Sequence, residues 1–286
     1  MSQIFNLTLI GASNAGDDPS WIAGYGPQTY FSTPQYQDIS ISVNSSGQIA
    51  LGTVHDYNGL LQVGVVEPDG TLLQAKSYNF YINERHQTDF DPSDRLIIVG
   101  KGYQQTVFGR LSSDFNSIDK RFDYRLGFNQ VFNFTQNSGV GARRLISADN
   151  NNAVFLYSAT LYYPYGTTTI NCVATVDYNS GVVDKIGTTG NSGGTALVLT
   201  NGNSIAYYCN ATDKTMGRYN VSTADNFTIN PFSSPNTSGS YWTAFANSPS
   251  DSSVIYLCNQ YAAYWKYNIS TNAVTGGKSF QINGTT

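Results

Sequence analysis

The chain has 286 residues and a net charge of −4, with 12% charged, 40% hydrophobic and 14% aromatic residues. That hydrophobic share excludes a disordered chain, and the length suffices to bury the core of one domain without a metal or a disulfide. Only two glutamates occur, Glu67 and Glu84, too few for long amphipathic helices. The lack of Lys/Arg runs argues against nucleic acid or an anionic membrane as partner, and no apolar run reaches the ~18 residues of a membrane span.

The chain begins with Ile4–Ile10 (IFNLTLI), which alternates like a strand, and Trp21–Gly26 reads as a second, outer strand. No basic region precedes the first run, and it is too short for a secretory signal, so export by a signal peptide is not expected. Residues 1–37 are expected to stand apart, closing a ring of repeats or docking to a partner, with the repeat domain over 38–286.

From Asp38 a plan of four strands per unit begins. In the first unit the strands are Asp38–Val43, Ile49–Val54, Leu60–Val66 and Thr71–Tyr78. Asn44-Ser45-Ser46-Gly47 and Glu67-Pro68-Asp69-Gly70 form its tight turns: Pro presets φ, and Gly accepts the positive φ of a hairpin. The second unit turns at Asp91–Asp94 and Ser113–Asn116, and the third at Asp149–Asn152 and Asn179–Gly181. The fourth turns at Asn201–Asn203 and Ala224–Asn226, and the fifth at Ser248–Ser252 and Thr271-Asn272. The last two units align directly. Ser204–Thr223 (SIAYYCNATDKTMGRYNVST) and Ser253–Thr271 (SVIYLCNQYAAYWKYNIST) share strand, Cys-Asn, loop, strand and Tyr-Asn-aliphatic-Ser-Thr.

A period of about 50 residues with four short strands per unit predicts an all-β fold: a β-propeller of about five four-stranded blades. Six blades, with residues 1–37 in the sixth, and a β-sandwich or Greek-key barrel are the alternatives. Cys172, Cys209 and Cys258 lie in strand-like runs, are too few for a disulfide framework, and read as buried free thiols. Nine Asn-x-Ser/Thr sequons occur, several of them expected by chance in a chain this rich in Asn, Ser and Thr, and without a signal peptide they do not read as glycan sites.

SWIAGYG (Ser20–Gly26), DISISVNSSGQIALGT (Asp38–Thr53) and LLQVGVVEPDGTLLQAKSYN (Leu60–Asn79) together resemble the bacterial and phage β-propeller repeat, over residues 20–79, with Asn44 where that repeat usually carries Asp. The resemblance implies a fold and no activity. The Tyr/Asn/Ser-rich style of the whole chain resembles structural proteins of tailed bacteriophage virions. That likeness implies a virion location, in the tail or on the capsid surface, with other virion proteins as partners. Secretion or cell-surface display by a route without a signal peptide is the alternative.

In a propeller the second-to-third loops and the links between units share one face, where ligands usually bind. This face is expected to carry His55, Asp56 and Tyr57, then Asn83–His86 with Glu84 and His86, and Tyr103. Tyr162, Tyr163 and Tyr165, then Tyr241 and Trp242, and Tyr261 complete it. Tyr and Trp offer large faces with polar tips at low entropy cost and suit protein or glycan surfaces. His55 and His86 lack metal-ligand spacing, so no metal and no cofactor is expected. A glycosidase-like hydrolase would need Glu84 paired with Asp38 or Asp89 around the channel. Asp89, Asp91 and Asp94 cluster like a calcium loop but lack its full ligand pattern and read as a capped turn. Gly187–Gly194 lacks the Lys-Ser/Thr of a phosphate-binding loop, and Ser192 lacks a nucleophile's flanking pattern. These residues predict a non-enzymatic structural or interaction protein, with a glycan-binding adhesin for host-surface recognition as the alternative.

Overall fold

A computed structural model describes residues 36–55, 59–102, 105–124, 136–163, 166–188, 197–200, 202, 204–210, 215–223, 226–229, 242–248, 250–259 and 263–279. Among them all regular structure is β, in five four-stranded antiparallel sheets whose strands neighbour one another in chain order. The first sheet contains β1 (Tyr36–Val43), β2 (Ile49–His55), β3 (Leu60–Val66) and β4 (Leu72–Asn79). The second contains β5 (Ile82–Phe90), β6 (Leu96–Gly102), β7 (Gln105–Leu111) and β8 (Ile118–Tyr124). The third is built from β9 (Gln136–Ser147), β10 (Asn152–Tyr163), β11 (Gly166–Asp177) and β12 (Val183–Thr188). β13 (Leu197–Thr200), β14 (Ile205–Asn210), β15 (Thr215–Asn220) and β16 (Asn226–Ile229) form the fourth. β17 (Trp242–Asn247), β18 (Val254–Asn259), β19 (Ala263–Asn268) and β20 (Ala273–Ser279) form the fifth.

The first strands of the sheets pack in the series β1, β5, β9, β13, β17, so each sheet lies face to face with the next. The described turns of the first three sheets form where the sequence places them, closed by an Asp or Asn side chain, while Asn201, Asn203, Ala224, Asp225 and Pro249 of the expected later turns lie outside the described residues. Asn44 Oδ1 accepts from the Ser46 and Gln48 N–H groups at 3.1 and 2.8 Å, and Asp91 Oδ1 from those of Ser93 and Arg95 at 2.9 and 3.0 Å. Asp149 Oδ1 does the same for Asn151 and Asn152 at 2.7 and 2.8 Å. These Asx turns satisfy backbone donors that the ladder leaves over.

Residues expected in loops prove to be strand. Asn83–His86 was expected in a loop but belongs to β5, which begins at Ile82. Tyr162 and Tyr163 were expected in an irregular loop but close β10, because the third sheet extends its central hairpin to twelve residues a strand, pairing Tyr163 with Gly166. β1 starts at Tyr36, two residues before the expected start of the first unit. Ile4–Ile10 and Trp21–Gly26 lie outside the described residues.

The route from one sheet to the next builds the core. Leaving β4, the chain alternates Tyr78, Phe80 and Ile82 inward, all buried, as it crosses to β5. Two glycines of the second sheet make room. A Cβ on Gly109 would stand 2.1 Å from Phe80 Cε1, and one on Gly100 2.5 Å from Ile82 Cδ1. Phe80 and Ile82 thus join Leu61, Val63, Leu96 and Val107 in one core between the first two sheets. The second-to-third interface rests on Phe108 against Phe155, centroids 5.0 Å apart, and on Tyr178, whose hydroxyl donates to the Ile98 carbonyl at 2.8 Å. Val154, Leu156 and Val173 meet Leu199, Ala206 and Tyr208, and Tyr207 and Met216 meet Ile255, Leu257 and Tyr267.

Polar bridges lock the turns of adjacent sheets. Tyr78 Oη and Gln74 Nε2 donate to the Phe115 carbonyl, the latter at 2.8 Å, and Lys76 Nζ donates to that of Asn116. Ser45 donates to Asp94 through its N–H at 2.9 Å and its hydroxyl at 2.7 Å. Buried Arg110 pairs with Asp119 at 2.6 Å and reaches the third sheet's Asn150 carbonyl and Asn179 Oδ1 at 3.4 and 3.3 Å.

Gly109→Ala forces a methyl into the Phe80 ring, and overpacking of this kind costs about 1–3 kcal/mol. In urea unfolding the midpoint is expected to fall accordingly. In the double variant Gly109→Ala/Phe80→Leu the two costs are expected not to add, because the smaller side chain vacates the contested space.

Candidate functional site

At the end of the sheets that carries the second-to-third loops and the links between sheets, Tyr81 stands out. It has φ 53°, in the left-handed region, and 52% of its surface is exposed. The cause is local. Phe80 and Ile82 both point inward, so the residue between them must point out, and the sharp return from β4 to β5 bends the backbone there, with the Phe80 N–H donating to the Tyr78 carbonyl at 3.0 Å. Such a conformation in a residue with a Cβ costs of order 1 kcal/mol or more. Gly59, of the β2–β3 loop, lies against it: a Cβ there would be 2.7 Å from Tyr81 Cα.

Arg121, on β8, holds the ring. Its guanidinium carbon lies 4.5 Å from the Tyr81 centroid. The guanidinium is itself clamped by Asp123, with Nε at 3.0 Å from Oδ1 and Nη2 at 2.5 Å from Oδ2, and Nη1 donates to the Asn79 carbonyl at 3.3 Å. A planar cation fixed by a bidentate carboxylate leaves an aromatic side chain positioned before any partner arrives. Tyr81 was not among the residues singled out from the sequence. The signal was there in the alternation Tyr78, Phe80, Ile82, which leaves Tyr81 on the other side.

The residues singled out from the sequence are placed as follows. His86 is wholly buried in β5, packed over Gly52 of the first sheet, where a Cβ would sit 3.1 Å from Nε2. It is part of the interface between the first two sheets, beside the buried hydroxyls of Ser40, Ser42 and Thr88, and not an exposed loop residue. Thr88 Oγ1 donates to Ser40 Oγ at 2.9 Å and lies 3.2 Å from Ser42 Oγ. His55 ends β2, Glu84 is inside β5, Tyr162 and Tyr163 end β10, and Trp242 opens β17. Tyr57, Tyr103, Tyr165, Tyr241 and Tyr261 lie outside the described residues. Cys258, expected to be buried, is half-buried and in no disulfide.

The carboxylates serve the scaffold. Asp91 binds Arg95 Nε at 2.8 Å, and Asp94 receives Ser45. Asp89 accepts the Ser147 N–H at 2.8 Å and so joins β5 to β9. Among the described residues no three His, Cys, Asp or Glu side chains gather as a metal site. Glu84 and Asp89 both belong to β5.

No protein-family model matches the chain, and no curated protein matches it in sequence. Solved structures do match in shape. A chain of the nidogen/laminin complex superposes with a TM-score of 0.53 at 8% identity, over 88% of this chain and 83% of that one. Saccharomyces cerevisiae Sqt1 gives 0.54 at 10% identity, over 88% of this chain and 65% of Sqt1. The Dos1 propeller gives 0.54 at 10%, over 87% of this chain and 60% of that one. The chain therefore spans less than two thirds of the Sqt1 and Dos1 chains. The four-stranded antiparallel sheets, stacked in series, and these likenesses define the class: the protein has a β-propeller fold.

The titrating carboxylates give a test with opposed signs. Hydrogen bonds from Ser112 and Asn116 lower the Asp114 carboxyl from 3.8 to about 2. Its contribution to stability is present above pH 3.8 and is lost as the pH falls to about 2. Burial raises Asp89, so its charged form costs stability at neutral pH and its protonated form relieves that cost in acid. In thermal melts across pH 7 to 2, Asp89→Asn is expected to be stabilising at pH 7, with the gain vanishing in acid. Asp114→Ala is expected to flatten the loss between about pH 4 and 2.

Proposed function

We propose that this protein is a non-enzymatic interaction scaffold that binds other proteins through the loop end of its propeller. The observation that carries the reading is Tyr81, half exposed, set in a left-handed conformation and clamped by Arg121 and Asp123. Aromatic and Arg side chains dominate interface hot spots, and an anchor fixed in advance loses little entropy on binding. The engagement of Asp91, Asp94, Asp114 and Asp149 in turns supports a structural role.

The setting we assign is a bacteriophage virion, as a tail or capsid-surface component bound to other virion proteins. The support is the likeness of the Tyr/Asn/Ser-rich chain to structural proteins of tailed bacteriophage virions and its low charge. The second reading is a glycan-binding adhesin acting on the host surface, favoured by the same exposed Tyr81 ring, since a fixed aromatic face also suits a sugar.

The test uses the purified full-length protein, wild type and the variants Tyr81→Ala and Arg121→Ala. Incorporation into particles is read by immunoblot and sugar binding on a glycan array. Loss of a central aromatic anchor costs about 2 kcal/mol, roughly thirtyfold in association, with little change in melting temperature because the side chain is exposed. Reduced incorporation supports the scaffold reading. Normal incorporation with lost glycan binding supports the adhesin, and no change in either removes Tyr81 from the interface.

A further inference from the structure

Among the described residues no further sheet is packed against the outer face of the first sheet or that of the fifth, although Thr53 and Val66 on the former are themselves buried. On the first sheet, the face turned away from the second carries Ile39, Ile41 and Val43, which are 45%, 48% and 57% exposed, while Ser40 and Ser42 between them are buried. Register extends that face across the sheet. Ile41 lies opposite Leu51, which lies opposite Gly64 and then Ala75, and Val43 opposite Ile49, Val66 and Leu72. It is an aliphatic face of the composition that elsewhere in this protein is packed against a neighbouring sheet. On the fifth sheet the repeat supplies an internal control. Tyr207 of β14 and Tyr256 of β18 are equivalent in the aligned sequences, yet Tyr207 is 2% exposed beneath the fifth sheet and Tyr256 is 38% exposed. The two exposed faces do not match each other, since Tyr256 lies opposite Lys266 and that opposite Thr275, with Lys266 exposed.

A ring of five sheets closed by the fifth lying on the first would cover both faces. We infer that residues 1–35 dock between the fifth sheet and the first, covering Ile39, Ile41 and Val43 on one side and Tyr256 on the other. The segment leads directly into Tyr36 and β1. Its length suffices, because the fourth sheet is complete within Leu197–Ile229, 33 residues. Its sequence has the required apolar runs in Ile4–Ile10, Trp21–Tyr25 and Tyr30-Phe31. Burying the aliphatic row removes apolar surface from water and supplies the driving force. The inference does not depend on the proposed function.

Hydrogen exchange of the full-length protein, followed by mass spectrometry, tests it. Peptides from residues 1–35 are expected to exchange at least about tenfold more slowly than an unfolded chain, as docked elements do. Ile41→Glu is expected to abolish that protection while the third and fourth sheets keep theirs, and Ile41→Val to retain it. Should Ile41→Glu fail to fold, Tyr256→Glu, at the opposite wall of the gap, is expected to give the same loss. Residues 1–35 exchanging freely in the wild type would overturn the inference, as would protection unchanged in Tyr256→Glu and Ile41→Glu alike. Sedimentation velocity separates the rival occupant: a wild-type dimer that Ile41→Glu makes monomeric, with residues 1–35 unprotected in both, would assign the face to a second copy.

Discussion

The second, third and fourth sheets carry apolar side chains on both faces, and each is covered by a neighbour on either side. The contacts of Phe80 with Gly109 and of Ile82 with Gly100 show how tightly such faces fit. The chain leaves the outer strand of one sheet and must reach the inner strand of the next. The side chains of that crossing fill space that the next sheet has given up by carrying glycine. Sheet separation, the path of the link and the residues left pointing outward all follow from that fit, because protein interiors are packed densely enough that a single methyl is felt.

The outward position of Tyr81 is one such consequence. With its neighbours committed to the core, the residue between them faces solvent at the loop end, and Arg121 and Asp123 convert an exposed side chain into a fixed one. The opposite end is built differently. There the carboxylates are absorbed by turns, and those turns are bonded to each other across sheets, as in Ser45 with Asp94 and Ser93 with Asn150 at 2.7 Å. Among the described residues one end is thus tied together by short polar links, while the other presents Tyr81.

The same packing requirement gives meaning to the exposed row of β1. Aliphatic side chains on the first strand of a sheet are not needed for the strand itself, since Ser40 and Ser42 occupy the alternate positions and make the contacts with Thr88. They are explained by a neighbour on that side. Tyr207 and Tyr256, alike in sequence and unlike in burial, make the point at the other end of the series.

The sequence by itself determined the class of fold and the turns. A period-two alternation with Asn, Asp, Pro and Gly at fixed offsets encodes hairpins locally, so Asn44–Gly47, Asp91–Asp94 and Asp149–Asn152 close where their residues indicate. It did not determine which end of a strand became loop. Asn83–His86 is polar enough to read as a loop, yet it is strand, and His86 is buried because Gly52 on the adjacent sheet leaves room for an imidazole. Tyr162 and Tyr163 were likewise drawn into an extended hairpin by pairing with Thr167 and Gly166. Tyr81 passed unnoticed because its exposure depends on two glycines about twenty and thirty residues further along. Local chemistry is written in neighbouring residues. Burial across an interface between sheets is decided by residues about fifty apart, and only the tertiary structure brings them together.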